Sequence, residues 1–110
     1  MTTILADSFT AALAKLTNDE QKQAKLTAFD LQTDADRPGL QMHRIEKTDG
    51  FWSVRVSRDL RIILHRDGDT DLLTYVGHHD EAYSWAERRR LVPHERTGAS
   101  DDPQSLARLE

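Results

Sequence analysis

The chain has 110 residues, 37% hydrophobic and 31% charged, with no cysteine and a net charge of −4. That suffices for one small domain with a modest core, excludes disulfides and thiolate chemistry, and makes the cytoplasm the expected compartment. No apolar run reaches membrane-spanning length, the start lacks signal-peptide order, and the acidic balance argues against avid non-specific nucleic-acid binding.

Met1 to Asp7 contains the apolar piece Ile4-Leu5-Ala6, which reads as an edge strand. Ser8 is the candidate N-cap of a helix over Phe9–Leu16, whose apolar positions Phe9, Ala12, Leu13 and Leu16 follow helical spacing. Thr17-Asn18-Asp19 breaks it and caps a second helix over Glu20–Gln32, with Ala24, Leu26, Ala28, Phe29 and Leu31 expected to face inward. The short connection makes these two a helical hairpin. Asp34 to Gly39 reads as a loop.

Beyond the loop the period changes. Met42–Lys47, Phe51–Ser57, Leu60–His65 and Asp71–Val76 read as four short strands, separated by turn signals at Asp49-Gly50, Arg58-Asp59 and Asp67-Gly68-Asp69. Short turns between them define an antiparallel meander. A helix over Asp80–Leu91 follows and is stopped by Pro93. Helices, then strands, then a helix argue for an α+β fold. The domain is expected over residues 1–91, with 92–110 a tail or the start of a linker and Leu109-Glu110 a cloning scar.

Charge is unevenly spread. Between His43 and Arg66 stand six basic residues (Arg44, Lys47, Arg55, Arg58, Arg61, Arg66) against three acids (Glu46, Asp49, Asp59), which allows a basic patch on an acidic body. Arg55 and Arg61 sit in apolar strands, where an unpaired charge is costly to desolvate. Each is therefore a candidate phosphate clamp, or else pairs with an acid or projects from a wet face. The Arg58-Asp59 turn decides whether both share a face.

The run Val76-Gly77-His78-His79-Asp80-Glu81-Ala82-Tyr83-Ser84-Trp85-Ala86-Glu87-Arg88 holds two histidines, a tyrosine and a tryptophan where a strand becomes a helix, a natural place for a phosphate. His79 and Tyr83 are four apart and share a helix face that Arg90 continues. Histidine can move a proton near neutral pH, and tyrosine can stack on a base. The plainer reading has Tyr83 and Trp85 packing the helix on the sheet while His79 caps it. Adjacent His78 and His79 match no standard metal-ligand spacing. Charges such as Glu81 and Arg88 read as a solvated helix face.

Trp52-Ser53-Val54-Arg55-Val56 with Asp59-Leu60-Arg61-Ile62-Ile63, then Val76-Gly77-His78-His79, then Tyr83, resemble the RelE/ParE toxin superfamily over residues 3 to 91. The resemblance implies a helical hairpin packed on a four-stranded antiparallel meander and a C-terminal helix. It also implies a ribosome-dependent, metal-independent endoribonuclease (mRNA interferase) with no cofactor. In that family's terms Arg61 grips the scissile phosphate, His79 is acid or electrostatic stabiliser, and Tyr83 orients the nucleotide. Arg44, Lys47 and Arg55 bind the message backbone. Histidine at position 79, where many relatives carry arginine, and the negative net charge depart from that pattern.

The string His78-His79-Asp80-Glu81-Ala82-Tyr83 with Trp85-Ala86-Glu87-Arg88 and Thr97-Gly98 is similar more closely to the RelE-like domain at the N-terminus of UvrD/Rep-type superfamily I DNA helicases. This implies an accessory module with weak or lost RNase activity, its helicase domains elsewhere in a longer protein, since no Walker motif is present. That is the leading expectation. The alternative is a stand-alone toxin acting on RNA at the ribosome and neutralised by an antitoxin; a third is a non-catalytic protein-binding module of the gyrase-inhibitor type. DNA remains a possible partner in the first case, and a membrane in none.

Overall fold

A computed structural model describes residues 2–33 and 38–89. The elements are β1 (Thr2–Leu5), α1 (Asp7–Ala14), α2 (Asn18–Thr33), a 3₁₀ turn (Pro38–Leu40), β2 (His43–Arg44), β3 (Phe51–Arg55), β4 (Leu60–Asp67), β5 (Thr70–His78) and α3 (His79–Arg88). The fold is α+β. Strands β2 to β5 form the antiparallel meander, and β1 adds a fifth strand, parallel to β5, giving the order β1-β5-β4-β3-β2. The expected tail 92–110 and Arg90 lie outside the described residues. No described helix is long and apolar enough to cross a membrane.

Local chemistry explains the helix starts. Thr17 and Glu20 form a reciprocal capping box: the Glu20 N–H donates to Thr17 Oγ1 at 3.2 Å, and the Thr17 N–H to Glu20 Oε1 at 3.0 Å. Ser8 is not the cap of α1, which begins two residues earlier than expected, at Asp7, behind the N-cap Ala6. Its hydroxyl donates instead to the Thr74 carbonyl at 2.5 Å and pins α1 to β5.

Leu26 and Phe29 also depart from expectation, standing 67% and 59% exposed. The buried stripe of α2 runs through Ala24, Thr27 and Leu31. At 100° per residue, that stripe leaves positions 26 and 29 on the opposite side. The first meander strand is shorter than expected, only His43–Arg44, because Lys47 turns the chain at φ +65°.

The two sheet faces carry separate cores. Beneath the α1–α2 hairpin, Val54, Ile62, Leu64, Leu73 and Val76 pack with Phe9, Ala12, Ala24 and Leu31. On the other face α3 packs Ala82, Trp85 and Ala86 against Ile45, Phe51 and Ile63. A bulge at Thr74 makes both cores possible. Ile63 pairs with Tyr75 but Leu64 with Leu73, and the buried Thr74 hydroxyl donates to the Ile63 carbonyl at 2.9 Å. The extra residue shifts the phase of β5, so Leu73 and Val76 both reach the hairpin while Tyr75 stacks on Trp85 at 4.9 Å. Gly77 follows and leaves room for the Tyr75 ring, which a Cβ there would approach to 2.9 Å and push aside.

Candidate functional site

The site is built on the α3 face, at the end where β5 becomes α3. Arg55 pairs directly with Arg61, and Arg61 with Gly77 on its other side, so both arginines share one face. No bulge intervenes between them. Among the described residues neither forms an ion pair within 4 Å, although the charge of Arg61 helps hold the Asp59 pKa down. Two cations directly opposite each other repel. An anion placed between them would remove that cost.

Arg61 is anchored by the turn that precedes it. Its Nη1 donates to the carbonyls of Ser57 at 2.8 Å, Leu60 at 2.9 Å and Arg58 at 3.3 Å. Arg55 is held more loosely, its Nη1 3.5 Å from Gln41 Oε1.

His78 and His79 separate into different jobs. His78 ends β5 and bonds the Asp59 carboxylate through Nδ1 and Glu20 Oε2 at 3.2 Å through Nε2. The Asp59 hydrogen bond, aided by the charges of Asp59, Glu20 and Glu81, raises the His78 pKa above its ordinary value. The Thr17 backbone N–H lowers that of Glu20, and the His78 bond that of Asp59. His78 thus ties α2 to the β3–β4 turn. The His79 N–H donates to the Asp59 carbonyl at 2.7 Å, so the same turn sets the start of α3. Among the described residues no group of three or more candidate ligands could hold a metal ion.

His79 opens α3 and does not cap it; the N-cap position is His78, with no side-chain cap bond. Its Nδ1 lies 3.1 Å from Asp80 Oδ1, and its ring stacks on Tyr83 at 4.4 Å and 20°. Tyr83 Oη in turn lies 2.7 Å from His43 Nε2. Trp85 is the packing residue, nearly buried against Tyr75 and Phe51.

Of the six residues singled out from sequence, Arg55 and Arg61 stand opposite each other on this face, and His79 stacks on Tyr83 along the helix that covers it. Arg44 pairs with Trp52 and so faces the hairpin side. Lys47 lies in the turn at the far end of β3, roughly 13 Å of strand from Arg55. His43 was missed: it is one of five histidines, on a two-residue strand, and meets a partner 40 residues away. A groove of about 660 Å³ between α1 and α3 is lined by Leu16, Glu20, Val76 and Trp85, but not by Arg55, Arg61, His79 or Tyr83.

No protein-family model matches the sequence, and none of the curated proteins does. Solved structures do match, and they define the class: the fold is that of the RelE-type toxins. One is a chain of the RelB–RelE antitoxin–toxin complex from Methanococcus jannaschii, with a TM-score of 0.60 and 20% identity, covering 74% of this chain and 96% of that one. Another is YafQ from E. coli strain BL21(DE3), with a TM-score of 0.62 and 10% identity over 73% of this chain and 94% of that one. A third is a chain of the toxin–antitoxin complex RelBE2 from Mycobacterium tuberculosis, with a TM-score of 0.55 and 22% identity over 70% and 95%. At these identities the likeness establishes the fold.

Proposed function

We propose that this chain is a RelE-type endoribonuclease, the toxin of a toxin–antitoxin pair. The fold likeness to toxins supports this over the helicase-module reading favoured from sequence, and makes an antitoxin a natural partner. The observation that supports the chemistry is the cross-strand couple Arg55–Arg61, neither in an ion pair among the described residues, on the sheet face that α3 covers with its stacked His79 and Tyr83.

The two guanidiniums take the non-bridging oxygens of a phosphate, with Arg61 already fixed by three carbonyls. His79 presents Nε2 to the leaving oxygen, since Nδ1 is turned to Asp80. Tyr83 faces the nucleotide. Attack by the ribose 2′-hydroxyl on the adjacent phosphate then needs positioning and charge stabilisation, and no step is assigned to a metal or cofactor.

The test is induced expression in a bacterial host, wild type beside Arg61→Ala/Tyr83→Phe, reading growth and message integrity. Growth arrest with cut messages is expected for the wild type, and a loss of cutting by about 100-fold or more for the double variant. Intact messages in arrested wild-type cells would instead favour the protein-binding reading.

A further inference from the structure

We propose that His78 is a positioning residue of this site, its imidazolium holding Arg61 and His79 in place through the turn between β3 and β4. The inference rests on the ribonuclease reading above and adds a control of that site by pH. The turn, Ser57 to Leu60, carries both groups. Arg61 Nη1 donates to three of its carbonyls, at 2.8, 2.9 and 3.3 Å, and the Asp59 carbonyl accepts the His79 N–H at 2.7 Å. A shift of the turn therefore moves the phosphate clamp and the start of α3 together.

Within the turn, the Leu60 N–H donates to Ser57 Oγ at 3.3 Å, and the Leu60 carbonyl accepts the N–H groups of Val56 at 3.0 Å and Ser57 at 3.4 Å. The Asp59 side chain is tied from outside, by His78 Nδ1, while His78 Nε2 meets Glu20 Oε2 at 3.2 Å. His78 pairs with Leu60 across the sheet, so β5 fixes the ring at its root. Glu20 is fixed as well, since its other oxygen accepts the Thr17 N–H in the capping box of α2. The contacts thus run from α2 through His78 to the turn, and from there to Arg61 and His79.

A neutral imidazole donates through one nitrogen only, and each nitrogen of His78 faces a carboxylate. Only the imidazolium serves both, so the tie is complete when the ring is charged. Asp59 of the turn, Glu20 of α2 and Glu81 of α3 act on the ring with negative charge. Asp7 and Lys15 of α1 and Arg89 after α3 line the same groove, and Arg61 acts on Asp59. The bond to Asp59 leads in raising the His78 pKa above its ordinary 6.5. As pH rises through the raised value the ring turns neutral and keeps at most one of its two carboxylates. These half-exposed pairs add little to stability, whereas a misplaced clamp acts on rate directly.

The experiment adds purified wild type, His78→Gln, His78→Arg or Glu20→Gln to a bacterial translation mixture and measures the rate of cutting of a reporter message from about pH 6 to about pH 9. Circular dichroism of each variant checks folding. Each rate is divided by that of wild type at the same pH, which cancels the titration of His79 and of the mixture. His78→Gln is expected to cut about 10-fold more slowly than wild type at the acid end. It should converge on wild type at the alkaline end, where wild type has lost the tie too. His78→Arg keeps its charge at every pH, so it should match wild type at the acid end and exceed it by about 10-fold at the alkaline end. Glu20→Gln keeps the capping box but turns an amide N–H towards His78, and should show the His78→Gln pattern in weaker form. A folded His78→Gln protein whose deficit is absent, or is the same at every pH, overturns the proposal. Should His78→Gln fail to fold, His78→Arg and Glu20→Gln decide the matter, and flat ratios for both overturn it. Wild type that leaves the message intact at every pH overturns the ribonuclease reading and the positioning role with it; wild type that cuts beside flat ratios overturns the positioning role alone.

Discussion

The two faces of the sheet are made from the same strands and do opposite things. On the hairpin face, Val54, Ile62, Leu64, Leu73 and Val76 are covered by two helices, and the charged pair there, Arg66–Asp71, is closed by two contacts at 2.8 and 3.0 Å. On the other face one ten-residue helix, about 15 Å long, covers Phe51 and Ile63 but leaves the Arg55–Arg61 end open. The cation on the covered face is closed by a carboxylate, whereas those on the open face meet only neutral oxygens within hydrogen-bond distance: three carbonyls for Arg61 and Gln41 for Arg55. The lesson is that partial cover, more than residue type, separates the structural arginine from the candidate functional ones.

Breaking that contrast should show first in stability. Asp71 is 1% exposed beneath Arg66, itself stacked over Trp52 at 5.2 Å. Asp71→Ala removes the partner of a partly buried cation and is expected to cost about 3 kcal/mol in urea unfolding. Arg61→Ala, on the open face, is expected to cost less than about 1 kcal/mol and, on the proposed ribonuclease reading, to abolish cutting. Equal losses from the two variants would erase the distinction.

A second contrast is in pH. Bonded to Asp59 and facing Glu20, His78 has its pKa raised above 6.5. Its contribution to stability is complete below about 6.5 and is lost as pH rises through the raised value. Burial holds His65 below 6.5, against the pull of Asp67 and Asp49. Its contribution is complete above about 6.5 and is lost as pH falls through the depressed value. Thermal midpoints against pH should therefore flatten on the neutral side in His78→Gln and on the acid side in His65→Gln. Parallel profiles for both variants and the wild type would refute this.

The smallest effect belongs to α2. Leu26 is apolar but 67% exposed, so Leu26→Ser should change unfolding free energy by less than about 0.5 kcal/mol. A cost above about 2 kcal/mol would place it in the core after all.

The sequence by itself determined the element order, the α+β class and most of the turns. Those rest on local signals: the 3.6-residue spacing of α1, the capping box at Thr17 and Glu20, and the alternation along Trp52, Val54 and Val56. It also marked Arg55, Arg61, His79 and Tyr83, because charge in an apolar strand and aromatic residues at a strand–helix junction are visible without a fold. Tertiary structure decided the rest. The parallel place of β1 depends on a pairing nearly 70 residues away, between Thr2 and Thr70. The outward turn of Leu26 and Phe29 depends on which stripe of α2 meets the sheet. The shared face of the two arginines depends on a turn that keeps register, and the separation of Arg44 and Lys47 from them depends on strand phase and length. His43 enters only because α3 folds back across the sheet and brings Tyr83 within 2.7 Å of it. Local preference acts over a few residues, whereas a site forms from groups that only packing brings together.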